Sequence, residues 1–378
     1  MVSPDPHQRA IAALKNAFVA DALAMPVHWY YNPMDILRQF PGGIGGFEAA
    51  PEFHPSSIMS LHSTSHGGRR RSQDKNASRE IVGDVILRGK RQFWGTSNCH
   101  YHHGMRAGEN TLNAHCARVV IRALAANAGR YDKDRFLADY IAFMTADPPR
   151  HPDTYAESYH RGFFANLEAG NPADQCGAVT HDTASVGGLV SIAPLVFSER
   201  LRATPLTAVQ EHCSQHLMLT HPDRSLEAIC GSYVALLDAL SCCDSPAAAR
   251  QILADCARTS VNINLAKIVS SSRSDFDVIG GRFSPACYIS GSWPGVLYLA
   301  HRYLEDPLSG LLANANLGGD NVHRGFVLGT ILGAASGEAL DELFKQLVDR
   351  EALEKELNGL LADINQSTVQ AVGAETIR

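Results

Sequence analysis

Between Asn316 and Ala334 the chain reads NLGGDNVHRGFVLGTILGA, which delivers Asp320, Asn321 and His323 to the start of an apolar helix just after the glycine pair Gly318 and Gly319. Glycine lets the backbone bend where a Cβ would clash, and the open N–H groups of a helix start favour anions and polar groups. Asp and Asn are also ordinary N-cap residues, so the motif by itself reads as a cap. Glu109, Asn110 and Thr111 stand at the head of a second helix, and His28 follows the end of the first. Carboxylates gathered with histidine and hydroxyl groups are what metal binding or acid–base chemistry requires. His100, His102 and His103 precede Glu109, and His181 lies in a THDT run from Thr180 to Thr183. Trp29, Tyr30 and Tyr31 follow His28 and offer flat faces for a ring, although core packing suits at least two of them better.

Helices must position these residues. Asp5, Pro6 and Gln8 make a capping-box-like start, and Ile11, Leu14, Phe18 and Met25 then recur at helical spacing. Asp21 falls inside that apolar stripe, so a carboxylate points inward and must be paired or hydrogen-bonded there. Helical periodicity returns from Thr111 to Ala128 and then in blocks over Arg135–Ala146, Tyr155–Leu167, Val186–Phe197, Pro205–Leu219, Arg224–Leu240, Ala247–Ala257, Ser292–Tyr303 and Val322–Ala335, with two amphipathic blocks beyond. Gly325, Gly329 and Gly333, four apart, put a flat strip on the last of the named blocks, so another element must approach it closely. No stretch alternates as a strand and no solenoid period repeats. The expectation is all-α: a single compact multi-helix domain over residues 1–378, with a loop-rich insertion or lid at about 41–108.

Composition bounds the class. Charged residues are 19% and hydrophobic ones 45% of the chain, an ordinary globular balance. A net charge of −6 argues against a nucleic-acid partner. The conspicuous basic run, Arg69, Arg70 and Arg71, reads first as a solvated loop and second as a clamp for a phosphorylated substrate. Nine cysteines without CxxC spacing read as reduced thiols. With neither a secretory pattern nor an uninterrupted apolar span, the chain is expected in the cytoplasm with no membrane partner.

In order, the landmarks resemble the ADP-ribosylglycohydrolase family, which includes enzymes that remove ADP-ribose from arginine or serine and the related J1 crystallins. Val19 to Trp29, VADALAMPVHW, is similar to the family's GDALGMPxE segment, and Ala107 to Asn113, AGENTLN, stands where TDDTxM is expected. Ser185 to Phe197 is similar to GNGAAMRxAPL, Leu219 to Ser225 to SHxDP, and the Gly318 segment to GGDTDTxxAIxGAxxGA. These span about four fifths of the chain, and their order is more specific than any one of them. The resemblance implies an all-α fold and a pair of magnesium ions. Carried over residue by residue, the first motif's Glu is His28 here, and the Thr, Asp and Asp of the second are Gly108, Glu109 and Asn110. In the last motif the first Asp is kept as Asp320, the second is Val322 and the Thr is His323. The Arg of the middle loop is Ser191.

Of five ligand carboxylates two remain, too little charge for two adjacent magnesium ions. The site therefore holds either one divalent metal, with imidazole shifting preference toward zinc, iron or manganese, or none, with the carboxylates acting alone. The candidate site has Glu109 and Asp320 as catalytic carboxylates, and Asp21, His28, Asn110, Thr111, Gly318, Gly319, Asn321 and His181 around the substrate. Glu109, Asp320 and His323 are the expected metal-holding set. The expected function is hydrolysis of an N- or O-glycosidic bond at a ribose anomeric carbon of a small-molecule or ADP-ribosylated substrate. The alternatives are a retired, crystallin-like binding protein and a hydrolase of a small glycosylated metabolite.

Overall fold

The computed structural model describes residues 5–60, 86, 88–180, 183–271 and 273–361. His181 and the Arg69–Arg71 run lie outside the described residues. Twelve helices of ten residues or more are described: α1 (Pro6–Ala24), α2 (Leu112–Ala125), α3 (Lys133–Met144), α4 (Ser158–Glu168), α5 (Ile192–Leu201), α6 (Leu206–Thr220), α7 (Arg224–Ser241), α8 (Pro246–Val261), α9 (Ile289–Arg302), α10 (Pro307–Asn316), α11 (Asn321–Ser336) and α12 (Arg350–Leu361). Among the described residues, β pairing is confined to isolated bridges. The all-α expectation holds.

The first helix starts as its sequence demands. Asp5 Oδ1 accepts the Gln8 N–H at 2.8 Å, and Pro6 occupies the first turn, where a missing N–H does no harm. The partner for the glycine strip of α11 is α1 itself. A Cβ built on Gly329 would lie 2.5 Å from Asn16 O, and one on Gly333 2.5 Å from Ala12 O. Only glycine lets two backbones approach so closely. Over residues 6–27 the α1 stretch is long and apolar enough to cross a membrane, yet 89% of it is buried within the protein. It is the core helix, and α11 runs against it along much of its length.

The other helices surround this pair. α9 and α10 pack on α11, and α7 joins α5, α6 and α8. On the far side α2 is held to α12 by Arg118, which lies 2.8 Å from Glu356 and 2.5 Å from Asp349. The predicted block Val186–Phe197 divides into a 3₁₀ turn, Val186–Leu189, and α5, because Gly187 and Gly188 interrupt it. α10 has no counterpart among the predicted blocks, although Asp306, which accepts the Ser309 N–H, followed by Pro307 is a clear start signal. Within about 41–108 the described residues are mostly irregular and are tied to the exit of α1. The His54 ring lies 3.0 Å from His28 O and the His100 ring 3.1 Å from Pro26 O. The described cysteines are free thiols, as expected.

Candidate active site

Asp320 is placed by the glycines before it. Gly318 and Gly319 have φ of +64° and +67°, and a Cβ would fall 2.0 Å from Tyr30 O at the first and 2.1 Å from Pro285 O at the second. The free approach lets Gly319 N–H donate to Tyr30 O at 2.7 Å and Trp29 N–H donate to Gly319 O at 2.8 Å. The exit of α1 is thereby locked to the entrance of α11. Buried Arg324 fixes the same loop, donating to Gly318 O at 2.8 Å and to Asn314 Oδ1 at 2.7 Å. Gly318 and Gly319, expected near the substrate, act as backbone clamps.

The clamp brings His28, Asp320 and His323 together, all three buried. Asp320 Oδ1 lies 3.1 Å from His28 Nε2 and 2.8 Å from His323 Nδ1, while its Oδ2 is buried without a partner. Behind His28, its Nδ1 meets His102 Nε2 at 2.7 Å, and His102 Nδ1 meets Asp153 Oδ1 at 2.8 Å. Behind His323, its Nε2 lies 3.3 Å from Glu157 Oε1 and against the Asn113 amide, which in turn meets His160. Trp29, with φ +62°, stacks on the His28 ring at 3.8 Å and meets Tyr101 and Tyr155 edge to face.

Burial and these neighbours set the charges. Burial would raise the Asp320 carboxyl, but the His323 and His28 rings hold it far below the usual carboxylate range. Burial pushes His28 down to about 3, against the pull of Asp320. Burial opposes a charge on His323 too, yet Asp320 and Glu157 together raise its pKa well above the ordinary histidine value. Burial would raise Asp153, but His102, the Leu112 N–H and His151 together hold it below the carboxylate range.

The other predicted residues sit elsewhere. Glu109 accepts from Arg106 N, Nε and Nη2 at 2.8, 2.9 and 2.7 Å, a closed local turn with Arg106 largely exposed. Of the expected metal set of Glu109, Asp320 and His323, the structure brings Asp320 and His323 together with His28, while Glu109 turns to Arg106. Asp21 is buried, as its place in the stripe required, and accepts from Asn110 Nδ2, Thr111 N and Thr111 Oγ1 at 2.7, 2.9 and 2.6 Å. Asp21, Asn110 and Thr111 thus join α1 to the head of α2. Asn321 Nδ2 donates to Ala315 O at 2.8 Å and holds the glycine loop from below. Tyr30 is buried and Tyr31 exposed, so Trp29 alone of that trio stands beside the site.

Asp153, Glu157 and Asn113 were missed. The signal for the first two was present: two carboxylates four apart in HPDTYAESYH, just before α4. The donor set suits a cation. One carboxylate and two imidazole nitrogens lie within 4.8 Å of one another. A side chain at Gly187 would project to within 3.6 Å of His323 Nδ1 and 3.2 Å of Ser185 Oγ, so glycine keeps that flank open. The unpartnered Asp320 Oδ2 is the further ligand-competent oxygen.

Comparison with known proteins bears on the fold and the family. The sequence model of the family described as ADP-ribosylglycohydrolase matches residues 2–372. Among solved structures, the chain is similar to one titled "ADP-ribosylglycohydrolase-related protein complex", with a TM-score of 0.56 and 16% identity over 95% of this chain and 98% of that one. That likeness carries the fold. No curated protein matches the chain. The helical core, the ordered landmarks and a family match over almost the whole length agree, and the chain belongs to the ADP-ribosylglycohydrolase family.

Proposed function

We propose that the chain is a hydrolase that cleaves an N- or O-glycosidic bond at a ribose anomeric carbon, with one divalent metal held by His28, Asp320 and His323. The observation that carries this reading is the convergence of His28 Nε2 and His323 Nδ1 on Asp320 Oδ1 at 3.1 and 2.8 Å, with all three side chains buried. A bound divalent ion would supply positive charge for the ribose hydroxyls and acidify a water. Two imidazoles in place of carboxylates favour zinc, iron or manganese over a magnesium pair.

The chain's own groups complete the chemistry. Water adds to the anomeric carbon, the bond to the leaving nitrogen or oxygen breaks, and the water's proton passes to a base. The departing nitrogen or oxygen, which gains an electron pair as its bond breaks, is that base, and Asp320 Oδ2, with no donor of its own, would orient the water. Negative charge on Asp320 also stabilises the oxocarbenium-like transition state. Trp29, anchored through its own N–H to Gly319, lays an indole beside the site as a wall for a sugar or base. Glu109, closed on Arg106, is left out of the reaction.

Metal content and ADP-ribose release test the proposal together. Protein purified without chelator should hold about one equivalent of a transition metal, lost with turnover in Asp320→Ala. Metal-loaded protein that cleaves neither N- nor O-linked ribosyl substrates would overturn it.

A further inference from the structure

His28 and His323 face Asp320 with Nε2 and Nδ1, and a metal there needs a lone pair on each. Each ring must then carry its proton on the opposite nitrogen, and whatever accepts that proton decides whether the site can load. On the His28 side the acceptor chain ends in a carboxylate. Asp153 Oδ1 can only accept, so His102 carries its proton on Nδ1, 2.8 Å away, and turns a lone pair on Nε2 toward His28. His28 Nδ1–H donates to that lone pair at 2.7 Å, and His28 Nε2 is left as a lone pair facing Asp320. The two rings then fill every contact except the one where a cation would sit.

His323 is treated the same way with one link fewer. Its Nε2 lies 3.3 Å from Glu157 Oε1, again an acceptor, which calls for a proton on Nε2, so that a metal beside Asp320 takes the place of the proton on Nδ1. The Asn113 amide touches the same nitrogen and lies with its oxygen toward His160 Nε2 at 2.8 Å. A half-turn of that amide presents its oxygen to His323 and completes the arrangement. Both carboxylates come from one short segment, four residues apart, on the approach to α4. Asp153 is held there by donors from Leu112 N at 2.7 Å and Tyr155 N at 3.2 Å.

We propose that Asp153, through His102, and Glu157, directly, are positioning residues that fix the protons on the outer nitrogens of His28 and His323 and so aim both lone pairs at one divalent cation beside Asp320. The inference rests on the metal reading above and adds to it the parts of the chain that make two histidines serve in place of carboxylates.

Cobalt tests it without turnover. Metal-free wild type, Asp153→Asn and Glu157→Gln are titrated with Co²⁺, followed by calorimetry and by the visible absorption of the bound ion, with thermal unfolding of each metal-free form as a control. Wild type should bind one Co²⁺, and each variant should bind it about 10- to 100-fold more weakly, with an altered visible band. Glu157 contributes no side-chain cap to α4, so Glu157→Gln decides the matter if Asp153→Asn fails to fold. Variants that match wild type in affinity and in band overturn the positioning role and leave the metal reading standing. A wild type that takes up no cobalt overturns the metal reading itself, and this inference with it.

Discussion

His323 Nδ1 lies 2.8 Å from Asp320 Oδ1, one helical turn along α11, with both side chains sealed from solvent. In the proposed mechanism the pair is the centre of the site, whereas Glu109 spends its oxygens on Arg106. Asp320→Asn should lower turnover at least about 100-fold, the scale on which a preorganised group that stabilises transition-state charge acts. Glu109→Gln should stay within a few-fold of wild type. Steady-state kinetics of the two variants check the assignment, and the opposite ranking would move the chemistry to the head of α2.

The close crossing of α1 and α11 makes a second expectation. Gly333→Ala forces a Cβ to within 2.5 Å of Ala12 O, a backbone atom that cannot rotate away. Overpacking of this kind costs about 1–3 kcal/mol. Urea unfolding should show that loss, although alanine is the better helix former and would stabilise an uncrowded helix.

Thr111 makes the third. Its hydroxyl donates to Asp21 Oδ2 at 2.6 Å, and burial raises the Asp21 pKa. Thr111→Val leaves that buried oxygen short of a donor, at a cost of about 1–3 kcal/mol. Denaturation midpoints measure it, and an unchanged midpoint would mean that water reaches Asp21.

Acid should destabilise the metal-free protein. Burial pushes His28 and His115 down to about 3 and His54 and His216 down to about 4. These rings stay neutral when folded but take up protons in the unfolded chain below its ordinary value near 6.5, so the unfolded state binds more protons between about 4 and 6.5. Stability therefore falls as the pH is lowered through that window, by up to about 1.4 kcal/mol per pH unit for each ring. His323 has the opposite sign, since its raised pKa gives stability that is complete below 6.5 and is lost as pH rises through the folded value. Urea midpoints at pH 7, 6 and 5 test the balance, and a flat profile would show that the four rings do not differ between states.

Much of the fold was legible because the helices announce themselves locally. Asp5 with Pro6, and the glycines of α11, are signals read within one or two turns, and the structure answers each with the expected cap or close approach. The site was legible in part. Asp320, His28 and His323 follow from ordered motifs, but nothing in a linear sequence says that Glu109 will fold back on Arg106 three residues away. Asp153 and Glu157 reach the histidines across 51 and 166 residues of chain, and such contacts depend on packing that no local pattern encodes.

The locked meeting of α1 and α11 also has a temporal side. α1 is made well before the helix it rests on, so a growing chain must carry α1 without its partner while some 297 residues follow, the interval between Ala24 and Asn321. At about 5–20 residues per second that wait is roughly 15–60 s. Throughout it, an apolar segment long enough to resemble a membrane span has no α11 to cover it. Expression of this protein should consequently depend on whatever shields nascent chains, and any truncation before α11 should yield an aggregating product with no trace of the site.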